Sequence, residues 1–173
     1  MWAYHPLCGP FRYFMVLIDA SSRWSFVCLL STHNVTFARF LTQTIRLRAQ
    51  FSNYTIKKVR LGNAGKFQPQ SFNDCYMSIR ITVEHYVAHV YTQNNLTELL
   101  IKRLQFIARP LIMRTKLSIS RWGHAFLHAA ALVRIRSSAY HEYSSLKMAF
   151  GHEPNIFHLI IFGYVVYVSI APP

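Results

Sequence analysis

Acidic residues are the scarcest feature of this chain: its 173 residues include only six Asp and Glu, against 19 Lys and Arg. Any site that depends on several carboxylates therefore has few residues to draw on. Hydrophobic residues make up 52% of the composition and charged residues only 14%, which excludes an intrinsically disordered chain. The six acidic residues are Asp19, Asp74, Glu84, Glu98, Glu142 and Glu153.

Cysteine is also scarce, and its placement excludes two kinds of site. Cys8, Cys28 and Cys75 are widely spaced and form no Cys-x-x-Cys pair, so the sequence predicts neither a disulfide framework nor a zinc site. This usage is typical of a reducing compartment. Residues 1–6 lack the basic region and the apolar core of a signal peptide. We therefore expect an intracellular protein that is not secreted, and a nuclear one if it is functional.

The excess of basic residues indicates a polyanionic partner. A formal charge of +13 favours nucleic acid, or else an anionic membrane surface. The apolar tail 156–171 has 16 residues, fewer than the roughly 20 that a helix needs to cross a bilayer. Its Val and Tyr residues favour a strand. We therefore expect no stable membrane insertion, and a basic membrane-associated protein anchored by this tail is the alternative.

Apolar patterns predict a β-hairpin followed by alternating helices and strands. Residues 12–18 and 23–30 are rich in aromatic and β-branched side chains and are separated by a four-residue loop, as in a hairpin. After a helix that begins near residue 35, the predicted elements are a strand over 55–61, a short helix over 71–80, a strand over 81–85 and a helix over 95–115. This order favours an α/β fold with a mixed sheet flanked by helices.

Apolar residues at three- and four-residue steps predict the buried faces of two helices. In the first helix they are Phe37, Phe40, Leu41, Ile45 and Ala49. In the helix over 95–115 they are Leu96, Leu99, Leu100, Leu104, Ile107, Leu111 and Ile112. Pro110 is expected to kink this helix or to end its first section. Ser120 is expected to cap a further helix that ends at residue 133 or 135.

One stretch combines a strand end with a polar helix start at a defined distance. The strand over 55–61 runs into Gly62-Asn63-Ala64-Gly65, and Gln93-Asn94-Asn95-Leu96-Thr97-Glu98 opens the helix, with 35 residues between Gly62 and Glu98. This layout resembles the integrase core of retroviruses and long-terminal-repeat retrotransposons. In that family a strand ends in Asp-Asn-x-Gly, and a helix carries the last catalytic Glu 35 residues later.

The resemblance covers most of the chain and points to copia-type elements. Residues 9–24, with their Ile-Asp-x-x-Ser-Arg turn, look like the first hairpin of copia-type integrases. Trp122-Gly123-His124 and residues 159–168 look like the segments C-terminal to the core in copia-type polyproteins. The resemblance implies a ribonuclease H-like fold whose first strand is shortened or missing here. It also implies an integrase core-like domain over 1–138 and a C-terminal extension over 139–173 that adds a strand.

The resemblance implies a catalytic site, and this sequence lacks most of its ligands. Integrases of this family hold two magnesium ions with three carboxylates and join DNA by displacement at phosphorus. Only Glu98 has a match. Gly62 occupies the second Asp position, the first Asp aligns with Pro6 or falls before Met1, and Lys66 adds positive charge nearby. We therefore expect DNA integration and Mg²⁺ to be ancestral, Glu98 to be a remnant, and no cofactor now.

Two further interpretations of these carboxylates stay open. In the first, Asp19 or Asp74 replaces a missing carboxylate, and the chain is a still-active metal-dependent nuclease or integrase. Against this, Asp19 is expected to accept N–H hydrogen bonds in its turn, and Asp74 is expected to face solvent. Glu98 has a structural role if Asn95 is the N-cap, because it then completes a capping box. It also lies four residues before Lys102, the favourable spacing for a helix ion pair.

Nucleic-acid contact is the inherited property that we expect to persist. The residues expected to contact nucleic acid lie around the remnant site or one turn after Glu98. They are Lys66, Gln93, Asn94, Lys102 and Arg103. Further cations extend the positive charge: Lys57, Lys58, Arg60, Arg109, Arg114 and Lys116. Phosphate contacts of this kind tolerate any sequence and depend steeply on salt. The expected partner is DNA or another nucleic acid, bound nonspecifically, and a homodimer is left open.

Overall fold

A mixed α/β architecture is seen in the computed structural model, which describes residues 9–61, 74, 76–85, 95–138, 141–157 and 159–164. Asp74 and residues 76–78 are helical and precede β4. The elements, in chain order, are β1 (Tyr13–Ile18), β2 (Ser25–Leu30), α1 (Val35–Gln50), β3 (Lys58–Leu61), β4 (Thr82–His85), α2 (Asn95–Thr115), a 3₁₀ turn (Ile119–Arg121), α3 (Trp122–Ile135), β5 (Ser137–Ser138), β6 (His141–Ser144) and α4 (Ser145–Phe150).

The predicted hairpin is confirmed, with β1 and β2 paired antiparallel. Its turn is held by the Asp19 carboxylate, which accepts hydrogen bonds from the Ser22 N–H and the Ser22 hydroxyl, both at 2.7 Å. The predicted turn role of Asp19 is therefore confirmed. Arg23 closes the turn in the left-handed region, with φ of 60°, and its N–H donates to the Asp19 carbonyl at 3.0 Å.

Both faces of this hairpin are buried, which explains its unbroken apolar runs. Alternate side chains point to opposite faces. Phe14 and Val27 lie in a core shared with α2 and α3. Met15 and Leu30 lie in a second core shared with α1 and with the helical turn that contains Tyr76. The hairpin is thus the middle layer between α1 on one side and α2 with α3 on the other.

Aromatic and small residues build the core between the hairpin, α2 and α3. The Phe14 ring lies 4.4 Å from the Phe126 ring and 6.3 Å from the Trp122 ring, measured between centroids. Ala125 and Ala129 of α3 are fully buried and let α2 approach closely. Trp122, which carries part of the family resemblance, is therefore a residue of the hydrophobic core.

The buried face of α1 differs from the predicted one. Phe40 is buried as expected, but Ile45 is 57% exposed, and Thr36, Gln43 and Thr44 are buried instead. A separation of five residues places Ile45 about 140° around the helix from Phe40, so both cannot face one core. Thr44 tolerates burial because its hydroxyl donates to the Phe40 carbonyl at 3.0 Å. It also lies 3.3 Å from the Tyr76 hydroxyl.

The boundaries of α2 match the prediction, and most of its buried face is confirmed. Leu100 and Leu104 are buried, but the inclusion of Leu99 is wrong, because this side chain is 52% exposed. Leu99 lies about 140° from Leu104 around the helix. Ala108, which the prediction omitted, completes the buried stripe. Pro110 does not end the helix, which continues to Thr115.

The start of α3 also corrects a prediction. Ser120 does not cap α3, whose N-cap position is Arg121 and which has no side-chain cap. Ser118 instead caps the preceding 3₁₀ turn, where its hydroxyl accepts from the Ser120 N–H at 3.4 Å. The predicted end at residue 135 is confirmed.

The strands form three separate two-stranded sheets within the described residues: β1–β2, β3–β4 and β5–β6. β3 and β4 are parallel, in the register Arg60 to Glu84. The part of the chain that the structure describes shows no single mixed sheet, so the ribonuclease H-like arrangement stays a prediction. Residues 1–8, where a remnant of the first strand would lie, are outside the described residues.

The C-terminal segment contains a hairpin and a short helix that the sequence analysis did not predict. The Ser144 hydroxyl caps α4 by accepting from the Lys147 N–H at 3.2 Å, and Gly151 ends α4 with φ of 78°. The Phe150 ring then packs on Trp24 and Phe51. The β5–β6 hairpin spans residue 138, where the predicted domain boundary lies, and that boundary stays a prediction.

The described part of the apolar tail is not a strand. Phe162 and Gly163 form a turn in which the Tyr164 N–H donates to the Ile161 carbonyl at 3.1 Å. Phe162 packs on the core of α2 and α3. Gly163 passes so close to α2 that a Cβ there would lie 2.6 Å from Thr115 Cγ2. Most other apolar side chains here are exposed, with Phe157 reaching 94%. Among the residues described, no helix combines the length and apolar character that crossing a bilayer requires.

Candidate nucleic-acid interface

Glu98 lies in the first turn of α2 with a half-exposed side chain. Within the described residues it is part of no ion pair, so the predicted pairing with Lys102 is wrong. Lys102 instead extends into solvent. The predicted capping box depends on the Asn95 side chain, which lies outside the described part of the structure. Glu98 is therefore a solvent-accessible carboxylate at the start of a long basic helix.

Several predicted site residues cannot be placed. Gly62, Lys66, Gln93 and Asn94 lie outside the described residues. The second carboxylate position and the loop that leads into α2 are therefore known from the sequence alone. Lys102 and Arg103 are described, and both are exposed on α2, one turn beyond Glu98.

The other carboxylates that we considered as magnesium ligands are in poor positions for it. Asp19 is engaged in its own turn. Asp74 is exposed, as predicted, and its helical turn packs through Tyr76 on the α1 side of the hairpin, whereas Glu98 belongs to the α2 side. Across the described ranges, no three His, Cys, Asp or Glu side chains converge. The donor set does not fit a two-magnesium centre, which needs several oxygen ligands per ion.

Glu84 forms an ion-pair cluster that the sequence analysis missed. Its Oε1 lies 2.8 Å from Lys58 Nζ, and its Oε2 lies 2.8 Å from Arg60 Nε. The parallel register of β3 and β4 sets Arg60 directly opposite Glu84. Hydrogen bonds from Lys58 and then from Arg60 lower the pKa of Glu84 to about 2. Lys58 and Arg60 are thus partly neutralised, so their predicted share in the positive surface is smaller than we expected.

Glu84 should titrate well below an ordinary glutamate. Because its folded-state pKa is depressed, the cluster stabilises the fold above the ordinary pKa of about 4.5, and this contribution is lost as the pH falls towards about 2. We expect the double variant Lys58→Gln/Arg60→Gln to return the titration midpoint of the Glu84 carboxyl towards the ordinary range. The NMR shift of this carboxyl during an acid titration measures the midpoint. A wild-type midpoint near 4.5, or a low midpoint that survives in the double variant, would contradict the assignment.

The outer face of α2 carries a row of exposed cations. The buried stripe around Leu100 and Leu104 holds the opposite face against the core, so helix geometry turns the charged positions outward. The exposed cations of this helix are Lys102, Arg103, Arg109 and Arg114, and Lys116 follows directly after it. This surface is the largest described group of exposed basic residues on one element, and Glu98 lies at its N-terminal end.

Apolar side chains run along the middle of the same face. Phe106 and Met113 are each 78% exposed, and Leu99 precedes them. These three recur every seven residues, so they form one ridge along the helix. The sequence carried this signal, because Leu99, Phe106 and Met113 stand at a constant spacing. It was missed because Leu99 was assigned to the core.

Comparison with known proteins relates the chain to a retrotransposon polyprotein. No family model matches the chain. The chain is 26% identical over 138 aligned residues to the "Retrovirus-related Pol polyprotein from transposon TNT 1-94" of Nicotiana tabacum. This alignment covers 75% of the chain and 10% of the polyprotein, so the chain spans about a tenth of that relative's length. The similarity supports an origin in a retrotransposon Pol polyprotein.

Proposed function

We propose that this chain is a degenerate copia-type integrase core that binds DNA without sequence preference and no longer joins DNA strands. The observation that carries the proposal is the combination on α2 of one carboxylate, Glu98, with exposed cations beginning one turn later at Lys102. The similarity to a retrotransposon Pol polyprotein supports the origin. The spacing of Gly62 and Glu98 supports the assignment to the integrase part.

The loss of chemistry follows from the ligands. Two-metal phosphoryl transfer needs carboxylates from several elements, and magnesium gives up its water reluctantly. Of the three family positions, one is Glu98 and one is Gly62, which has no side-chain oxygen. Asp19 is a poor substitute, because its Oδ2 already accepts two hydrogen bonds within its own turn.

The retained binding follows from electrostatics. The chain carries a formal charge of +13. The cations of α2 are exposed, and Glu98 is the single acidic residue among residues 95–115 that form this helix. Each phosphate that a cation neutralises releases a condensed counterion, which drives binding at low salt and weakens it as salt rises. Such contacts read no bases, so duplexes of different sequence should bind alike.

The direct test is fluorescence anisotropy of labelled DNA duplexes with unrelated sequences, titrated with the protein over a range of salt concentrations. We expect similar affinities for all sequences and a linear fall of log K with log salt concentration, with a slope of about −0.9 for each phosphate contact. Absence of binding at low salt would contradict the proposal, and so would affinity that does not change with salt.

A further inference from the structure

The apolar ridge of α2, formed by Leu99, Phe106 and Met113, has no structural role in the described part of the fold. The core is formed on the opposite face, around Leu104. An exposed phenylalanine normally costs solubility, and a solvent-facing helix position is ordinarily polar. Phe106 is nevertheless 78% exposed in the middle of a 21-residue helix.

Cations flank the ridge on both sides. By helix geometry, Lys102 and Arg109 lie along one side of Phe106, whereas Arg103 and Arg114 lie along the other. Lys102, Gln105, Phe106 and Arg109 line a shallow open recess of about 160 Å³. The exposed phenyl ring thus lines this recess together with two positively charged side chains and one amide. Glu98 lies at the edge of this face, one turn before Lys102.

This combination matches single-stranded DNA. Proteins that hold single strands without sequence preference combine a positive surface for the phosphates with aromatic rings on which bases stack. A duplex offers the phosphates but keeps its base faces stacked internally. A ring between cations therefore adds affinity for a single strand that it does not add for a duplex.

Two other occupants fit less well. A second copy of the chain would use the seven-residue ridge as a helix-pairing seam, but it would bring Lys102 and Arg109 against like charges at the neighbouring positions. An anionic membrane surface would accept the cations. However, the ridge is only one side chain wide, whereas interfacial helices present a broad apolar face.

We propose that Phe106, between Lys102 and Arg109, is a base-stacking position that gives this chain a preference for single-stranded over duplex DNA. The proposal rests on the proposed function, since it assumes that the α2 face binds DNA at all. Beyond DNA binding in general, it specifies single-stranded DNA as the preferred ligand and Phe106 as the side chain that causes the preference.

The test compares the affinities of labelled oligothymidylate and of a duplex for the full chain and three variants. Phe106→Leu keeps the apolar contact but removes the aromatic face, and Phe106→Trp keeps an aromatic face. Phe157→Ala is the matched control, because Phe157 is 94% exposed but belongs to the tail. We expect Phe106→Leu to weaken oligothymidylate binding about tenfold and to leave duplex binding unchanged. Phe106→Trp and Phe157→Ala should bind like the wild type.

The outcomes separate this inference from the proposed function. Equal binding of oligothymidylate by wild type and Phe106→Leu, with duplex binding intact, would overturn the inference and leave the function standing. No binding of either DNA would overturn both. Three other results would assign the ridge to a different partner. A dimer that sedimentation detects and that Phe106→Leu dissociates would indicate a second copy of the chain, and Phe106-dependent binding to anionic vesicles would indicate a membrane. Binding of oligouridylate at least about tenfold more tightly than oligothymidylate would indicate RNA.

Discussion

Replacing three α2 cations by glutamine, in the variant Lys102→Gln/Arg103→Gln/Arg109→Gln, should weaken duplex DNA binding about a hundredfold at physiological salt. The physical reason is that three phosphates are no longer neutralised by the protein and keep their condensed counterions. The salt slope should become shallower by about 2.7, or about 0.9 for each of these phosphates. The fold should be unaffected, because all three side chains are exposed. Anisotropy titrations over a salt series give both quantities.

A matched control separates a localised binding face from a general effect of net charge. Three exposed arginines lie on α1, on the other side of the hairpin: Arg39, Arg46 and Arg48. Their replacement by glutamine removes the same charge from the chain. We expect this control to lose far less affinity and to keep most of the salt slope. Equal losses in the two triple variants would mean that the α2 face has no special part in binding.

Truncating Leu104 to alanine should lower the free energy of unfolding by about 3–5 kcal/mol. Leu104 is fully buried between α2, α3 and the hairpin, so the substitution leaves a cavity in the main core. Such a loss is a large part of the stability of an ordinary domain, which is about 5–15 kcal/mol. Denaturant unfolding followed by far-UV circular dichroism measures it, with the midpoint and slope analysed separately.

Leu99→Ala is the matched control for Leu104→Ala. The same chemical change is made on the same helix, five residues earlier, on the face that carries the cations. We expect a loss of no more than about 0.5 kcal/mol, because Leu99 is 52% exposed. If Leu99→Ala destabilised the chain as much as Leu104→Ala, the rotation of α2 relative to the core would be wrong.

The sequence predicted much of the local structure because local signals determine it. The hairpin turn follows from Asp19 and its neighbours, and the ends of α2 follow from its polar start and the length of its apolar stripe. The two wrong assignments of helix positions to the buried face have one common cause. Ile45 was grouped with Phe40, and Leu99 with Leu104, although five residues along a helix turn a side chain about 140° away.

Other features depended on contacts that no local pattern encodes. Burial of Thr44 becomes acceptable only because the Phe40 carbonyl and the Tyr76 hydroxyl lie within reach. The β5–β6 hairpin and α4 are too short to show a clear periodic pattern. The packing of Phe150, in α4, on Trp24 and Phe51 depends on distant parts of the chain. The number of sheets likewise depends on strand pairing, which the order of elements does not fix.

The sequence predicted which chemical groups the candidate site contains better than it predicted their spatial arrangement. The absence of an oxygen ligand at Gly62 and the basic character of α2 could be read directly from the residues. The neutralisation of Lys58 and Arg60 by Glu84 could not, because it arises from the parallel register of β3 and β4. The seven-residue spacing of Leu99, Phe106 and Met113 is present in the sequence, but their exposure follows from the rotation of α2 on the core.

The central claim is that this chain holds DNA but does not cut or join it. The most direct test is incubation of labelled DNA ends with the full chain and Mg²⁺ or Mn²⁺, with binding and product formation measured in the same samples. We predict DNA that is bound at low salt and recovered unchanged, for the wild type and for Glu98→Gln alike. Cleaved or joined product that forms with the wild type and disappears with Glu98→Gln would contradict the account.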